Sequence, residues 1–217
     1  MRMTYRGISL RPVVDADLPF LFQLLGDPTR VHLWLRARPA YDEAGFKQTW
    51  SAWTAGMIGA KFIIESAGRP IGLAFDYDRT LDDSWTRVTA LVQEEHSGRG
   101  SGVIGGFLFM DWLFQTLPLR KMYHEVFGYN ESVIRMWRKV GLIEEGVFKG
   151  DRYWNGAYWD LHVFALYREA WPQVRDRVLR IPGARRQRQA AESLAPGKEV
   201  GPTELHVPSN GCLSGAE

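Results

Sequence analysis

Among 217 residues there is one cysteine, Cys212, which excludes an internal disulfide and a cysteine-built zinc site. Long apolar runs are also missing. A membrane-spanning helix needs roughly 20 apolar residues, and the most apolar stretch, Val103 to Leu117, is interrupted by Asp111 and Gln115. Met1 to Leu10 carries charge but no apolar core, so no signal peptide is expected, and the chain reads as a cytoplasmic protein that does not engage a membrane. Charge of one sign is absent as well: 27 Lys and Arg stand against 25 Asp and Glu, a net +2, which argues against nucleic acid held on a broad basic surface. The five histidines (His32, His96, His124, His162, His206) are too dispersed for a metal-ligand pattern, so no metal is expected.

Aromatic side chains stop at Trp171. Beyond Gly183 the composition turns to Ala, Gly, Ser, Pro and charge, which cannot bury enough apolar surface to offset ordering entropy. The expectation is one folded domain over residues 1–182 and a disordered tail over 183–217. The densest basic cluster, Ala184 to Arg188, is read as solvated, with a grip on a partner as its alternative.

Within the domain the period of the apolar residues changes several times. Ile8 to Pro12 reads as a strand, and Asp15 to Asp17 precedes Leu18, Leu21, Leu24 and Leu25 at helical spacing. A second helix is expected from Asp42 to Ala55. Short β-rich runs at 61–65 and 71–78 flank the turn signal Ala67-Gly68-Arg69-Pro70, and a further strand covers 85–92. Glu94-Glu95-His96-Ser97-Gly98-Arg99-Gly100-Ser101-Gly102 then opens a long apolar helix to Thr116. A glycine-rich turn between strand and helix builds an anion site, because amides without intrahelical partners converge there. A strand over 120–127, a helix over 132–140 ended by Gly141, and a hairpin around Asn155-Gly156 complete an α/β (α+β) layout.

Three readings compete for the glycine turn. A dinucleotide pattern is formally present from Gly100 to Gly105, but a parallel β-α-β unit near the start of its domain should carry it, and two helices and a hairpin come first. No lysine follows in the phosphate-loop position. The plainest reading is a flexible turn. The third rests on its surroundings: Val92 to Gly102 resembles the acetyl-CoA loop of the GCN5-related N-acetyltransferase (GNAT) superfamily, V-x-P-x-x-[RQ]-G-x-G-x-[GA]. Glu125-Val126-Phe127-Gly128-Tyr129-Asn130, then Met136 to Leu142, resembles that superfamily's second motif. Arg11-Pro12 with Asp15 and Asp17, and Glu145-Gly146-Val147 with Gly156 to Asp160, resemble more narrowly the branch of the ribosomal-protein N-terminal acetyltransferases.

The resemblance implies a GNAT fold: a mixed, mostly antiparallel sheet of six or seven strands flanked by helices, with acetyl-CoA as co-substrate. It implies Leu91, Val92, Ser97, Gly98, Arg99, Gly100, Ser101, Gly102, Asn130 and Trp137 as cofactor-binding. The Val92 amide would face the thioester carbonyl, and Glu125 would be the general base. Asn130, counted among the catalytic residues with Glu125, would cap the helix that follows it and bond the cofactor arm. The position of the family's acid tyrosine holds Trp137, so Tyr129 is the substitute candidate. Ser97 and Arg87 also depart from the pattern, the latter where relatives often carry an acid. Trp34, Tyr77 and Trp85 are candidates for substrate binding, within a group of large aromatics that includes Trp50, Trp53 and Trp154, and Asp76, Asp78, Asp82 and Asp83 are read either as a lure for a cationic amine or as a solvated hairpin tip. The expected activity is acetylation of a primary amine on a small molecule or peptide by direct attack. A different acyl group, a hydroxylamine or hydroxyl acceptor in natural-product metabolism, and CoA binding without turnover remain the alternatives. A homodimer is left open.

Overall fold

A computed structural model of the chain describes residues 3–34, 42–56 and 59–180. The expected tail over 183–217 lies outside the described residues. Alternation of apolar side chains sets the sheet. In β2 (Ile8–Pro12), β3 (Lys61–Ser66), β4 (Arg69–Thr80) and β5 (Trp85–Val92), side chains pass alternately to two faces, and each face is covered by helices. One face packs Phe62, Ile64, Val88 and Val92 against α3 (Ser101–Thr116) and α5 (Trp171–Leu179). The other packs Ile63, Leu73 and Phe75 against α1 (Leu18–Gly26) and α2 (Glu43–Gly56). Trp50, one of the aromatics considered for an acceptor, is buried in this second core beside Phe46. The Trp53 side chain lies outside the described residues.

The sheet has eight strands in the order β1-β2-β3-β4-β5-β6-β8-β7, where β1 is Met3–Tyr5, β6 Lys121–Phe127, β7 Ile143–Trp154 and β8 Ala157–Tyr167. The expected six or seven is corrected by β1, a three-residue strand turned back on β2 through Arg6 and Gly7, both at positive φ. Among the described residues only β5 and β6 run parallel. Their ladder has three rungs, Trp85 with Lys121, Thr86 with Met122 and Arg87 with Tyr123, and beyond these the strands part while β4 and β8 still pair with their outer edges. The helix α4 (Glu131–Val140) follows β6 directly and ends at Gly141, φ 96°, the left-handed position that favours glycine.

Arg11 and Asp17, read in the sequence as motif residues, fasten α1 to the sheet. The Arg11 guanidinium donates to both Asp17 oxygens at 2.7 Å and to Glu65 Oε1 at 2.8 Å, and Asp17 and Glu65 are buried. Burial opposes the ionised Asp17 carboxyl, yet the Arg11 and Val14 bonds hold it below its ordinary value. Asp76, considered as an amine lure, is likewise buried. It takes two bonds from Arg79, one from the Ala60 amide and one from the Thr86 hydroxyl, so it serves the fold. Among the described residues no helix is long and apolar enough to cross a membrane.

Candidate active site

The parting of β5 and β6 opens a cavity of about 720 Å³ through the sheet, within the range of small-molecule sites. On the α3 and α4 side its wall includes Val92, Gly102, His124, Val126, Val133 and Trp137. On the α1 side it includes Phe22, Trp34, Tyr77, Leu91 and Glu125. Two consecutive residues of β6 thus serve opposite halves, because strand side chains alternate: His124 lies between Met122 and Val126 of the α3-side core, and Glu125 points the other way.

The α3 half combines backbone amides with the side chains of His124 and Trp137. Gln93 donates its amide to Ile71 of β4, so the alternation of an antiparallel ladder turns the Val92 amide toward the gap left by β6. After a short turn the chain reaches Gly98, φ 68°, and Gly100, φ 87°, which stands at the N-terminus of α3. Both are left-handed conformations that a side chain resists. The first intrahelical bond runs from Ile104 to the Gly100 carbonyl at 2.9 Å, so the amides of the first turn lack helical partners and can receive an anion. At Gly102 a Cβ would lie 3.4 Å from Val92 Cγ2. Of the loop residues expected to bind cofactor, Leu91, Val92 and Gly102 are on the cavity wall. Ser97, Gly98, Arg99, Gly100 and Ser101 form the turn leading away from it. Arg99 is exposed and has no ion-pair partner among the described residues, while Ser101 is buried.

Asn130 and Trp137 also line the cavity. Asn130 occupies the residue before α4, but its side chain makes no capping bond; its Oδ1 accepts the Ser132 hydroxyl at 3.3 Å, and its backbone carbonyl accepts Val133 and Ile134. The expected cap is therefore corrected to a side-chain contact. Trp137 packs against the imidazole of His124, ring centroids 4.7 Å apart.

The α1 half is made of side chains. Glu125 Oε1 accepts Arg87 Nε at 2.9 Å, and the same guanidinium reaches Asp78 at 3.0 Å. Oε2 of Glu125 takes no hydrogen bond among the described residues. The nearby cations Lys121 and Arg135 pair elsewhere, Lys121 with Glu145 and Arg135 with Glu131. Tyr77 is largely buried beside Glu125; burial first, and the Glu125 charge second, push its hydroxyl up to about 12, so it stays a protonated phenol at neutral pH. The indole Nε1 of Trp34 is buried with no hydrogen-bond partner among the described residues.

Trp85 and Tyr129, expected in substrate binding and catalysis, are also off this cavity wall. Trp85 opens β5 before the strands part, edge-on to Tyr123 with the Arg87 guanidinium over its ring at 5.0 Å. Tyr129 donates its hydroxyl to the backbone carbonyl of His32, and its ring stands among Phe127, Trp154 and Trp159. That hydroxyl ties the segment after α1 to the turn between β6 and α4, and the Tyr129 ring packs on the β7-β8 hairpin. Trp154, in the same group, stacks on His32 at 4.4 Å. His124, in turn, is a cavity residue that the sequence reading considered only as a metal ligand.

A family model described as an acetyltransferase (GNAT) domain matches residues 8–143, from β2 to the start of β7. The chain belongs to the GNAT acetyltransferase family. It is accordingly an acyltransferase that uses acetyl-CoA as co-substrate to acetylate an amine. Among curated relatives, spermidine N(1)-acetyltransferase of Escherichia coli strain K12 is 24% identical over 152 residues, covering 70% of this chain and 81% of the relative. The enzyme of that name from Vibrio cholerae serotype O1 is 22% identical over 156 residues, covering 71% and 89%. The fold is shared with the crystal structure of spermidine N-acetyltransferase from Vibrio cholerae in complex with CoA and spermine: TM-score 0.71 and 20% identity over 77% of this chain and 99% of that one. A dodecameric structure of the Vibrio cholerae enzyme gives a TM-score of 0.67 at 20% identity, over 77% and 97%.

Proposed function

We propose that this GNAT domain, read as residues 1–182, acetylates a primary amine of a small cationic molecule of the polyamine class, with Glu125 as general base. The observation that carries the reading is the position of Glu125 on the α1 wall of the cavity, across the gap from the glycine turn and Val92. Acetyl-CoA supplies an activated acyl carbon when bound. The residues from Ser97 to Gly102 would hold its phosphates, and the Val92 amide would stabilise the oxygen that gains charge during attack. Oε2 of Glu125 would take a proton from the incoming ammonium, directly or through one water, while Tyr77 and Trp34 enclose the acceptor chain. With Trp137 an unsuitable acid, the departing sulfur would draw its proton from solvent or from the amine itself.

The names of the curated relatives support a polyamine acceptor. The finer placement among ribosomal-protein N-terminal acetyltransferases has less support, because its marker residues are occupied by the fold. Arg11 and Asp17 bond each other, and Asp160 accepts Lys149 and the Gly150 amide inside the hairpin. The dodecameric relative supports self-association, for which Phe148, Tyr153 and Tyr158 are exposed on the β7-β8 hairpin.

Thiol release from acetyl-CoA, measured over spermidine, spermine, simple monoamines, hydroxylamines and peptides with ribosomal-protein N-termini, tests the proposal. Turnover is expected with polyamines. Turnover on peptides alone would restore the narrower branch, and CoA binding without thiol release from any acceptor would overturn the catalytic reading of Glu125.

A further inference from the structure

His124 stands where the sheet comes apart. Past the rung between Arg87 and Tyr123, the alternation that turns Val92 toward the gap does the same for Val88, four residues earlier, and the Val88 carbonyl is the first on that edge of β5 to lose a partner strand. The imidazole of His124 takes its place and hydrogen-bonds the Val88 backbone. Since Nε2 has no partner among the described residues, the bond belongs to Nδ1, which must carry the proton to meet a carbonyl. Burial drives the ring's basicity down to about 4, against the opposing effect of Val88, so the imidazole is neutral and Nε2 is a bare lone pair. His124 is 6% exposed, and it is on the cavity wall beside Trp137. A buried acceptor without a donor bears its desolvation cost uncompensated, and such atoms in native proteins call for a partner.

We infer that Nε2 of His124 accepts a hydrogen bond from the cysteamine end of the CoA arm, either its amide N–H or the thiol of the free product, which makes His124 a cofactor-binding residue. The inference rests on the acetyl-CoA arm entering the gap between β5 and β6. Both candidate donors belong to one ligand. The amide is present in acetyl-CoA and CoA alike, whereas the S–H exists only after transfer.

The test uses the full chain with ring-¹⁵N histidine. The His124 resonance, assigned by its loss in His124→Gln, should begin as a bare acceptor nitrogen and shift as CoA is added. In parallel, CoA and acetyl-CoA are titrated calorimetrically into His124→Asn, whose amide can keep the Val88 bond while offering nothing at the Nε2 position, and into His124→Gln, whose amide oxygen can restore an acceptor there. His124→Asn is expected to weaken binding about tenfold, and His124→Gln to recover part of it. Equal loss for both ligands assigns the amide as donor; loss for CoA alone assigns the thiol. Unchanged affinity in a folded His124→Asn, or a Nε2 resonance unmoved in the CoA-saturated wild type, overturns the inference and leaves the cofactor cleft intact. Absence of CoA binding to the wild type would overturn both. Should His124→Asn fail to fold, the wild-type resonance decides.

Discussion

The two halves of the cleft are built from different materials. On the α3 side the Val92 amide is turned to the gap by ladder alternation, the turn at Gly98 and Gly100 is set by positive φ, and the His124 imidazole stands beside them on the wall. On the α1 side the groups facing the gap are side chains, Glu125 and Tyr77 among them, with Glu125 held from behind by Arg87, which also bonds Asp78. A backbone cradle stays in place whatever enters it and suits a constant ligand. A side-chain wall can be rewritten residue by residue, which suits an acceptor that differs from relative to relative.

The contrast predicts different failures for the two halves. Gly100→Val should have the largest effect: at φ 87° a β-branched residue forces the turn to rearrange, so calorimetric acetyl-CoA affinity should fall by more than about 100-fold, with the fold retained by circular dichroism. Retained affinity would mean that the phosphates are not held by this turn. Glu125→Gln should do the reverse. Its kcat should drop by roughly 10²–10⁴ at neutral pH while acetyl-CoA affinity stays within about twofold. A matching loss of affinity would place the carboxylate on the cofactor side.

Sequence legibility follows the same division. The glycine turn, the strand before it and the helix after it were readable, because positive φ and helix starts leave residue-type signatures. Glu125 was found through a motif, but its partner was not: Arg87 meets it across a three-rung parallel ladder whose register no local pattern encodes. Arg87 had stood out only as a departure from the family pattern. His124 escaped for a related reason, since its role depends on where β5 and β6 separate. β1 is too short for periodicity to register. The apolar spacing of Trp171, Val174 and Val178, all buried, was a legible signal for α5 that the loss of aromatics beyond Trp171 obscured.

A third prediction separates the buried ring from the carboxylates around the molecule. His124 is held down from 6.5 to about 4 by burial. Between those values the unfolded chain binds the proton and the native chain does not, so stability is lost as pH falls through this window, by roughly 3 kcal/mol at its acid end. Asp17, Glu144 and Glu145, all held below their ordinary values, also lose stability toward acid, so the contribution must be read as a difference. Urea unfolding of wild type and His124→Asn at several pH values should show the gap between them narrowing as pH falls from 6.5 to 4. Parallel curves would mean that the ring is protonated or hydrated in the native state.

The smallest expected effect is the most informative about the acceptor. The Arg87 and Glu125 side chains are each between a quarter and a third exposed, and at that exposure a pair adds at most about 1 kcal/mol to stability. Arg87→Gln should therefore leave the unfolding midpoint nearly unchanged. It should lower kcat by a few-fold, because Glu125 loses the bond that aims it, and it should unmask the charge of Glu125 in the cleft and of Asp78 beside it. For a polycationic acceptor the KM should then fall by about two- to fivefold, an effect that shrinks as salt is raised. A KM that rises instead would make Arg87 a ligand for an anionic group on the acceptor, and the α1 wall would then be built for an amino acid or another zwitterion, since Arg87 and Glu125 would be reading its two charges separately.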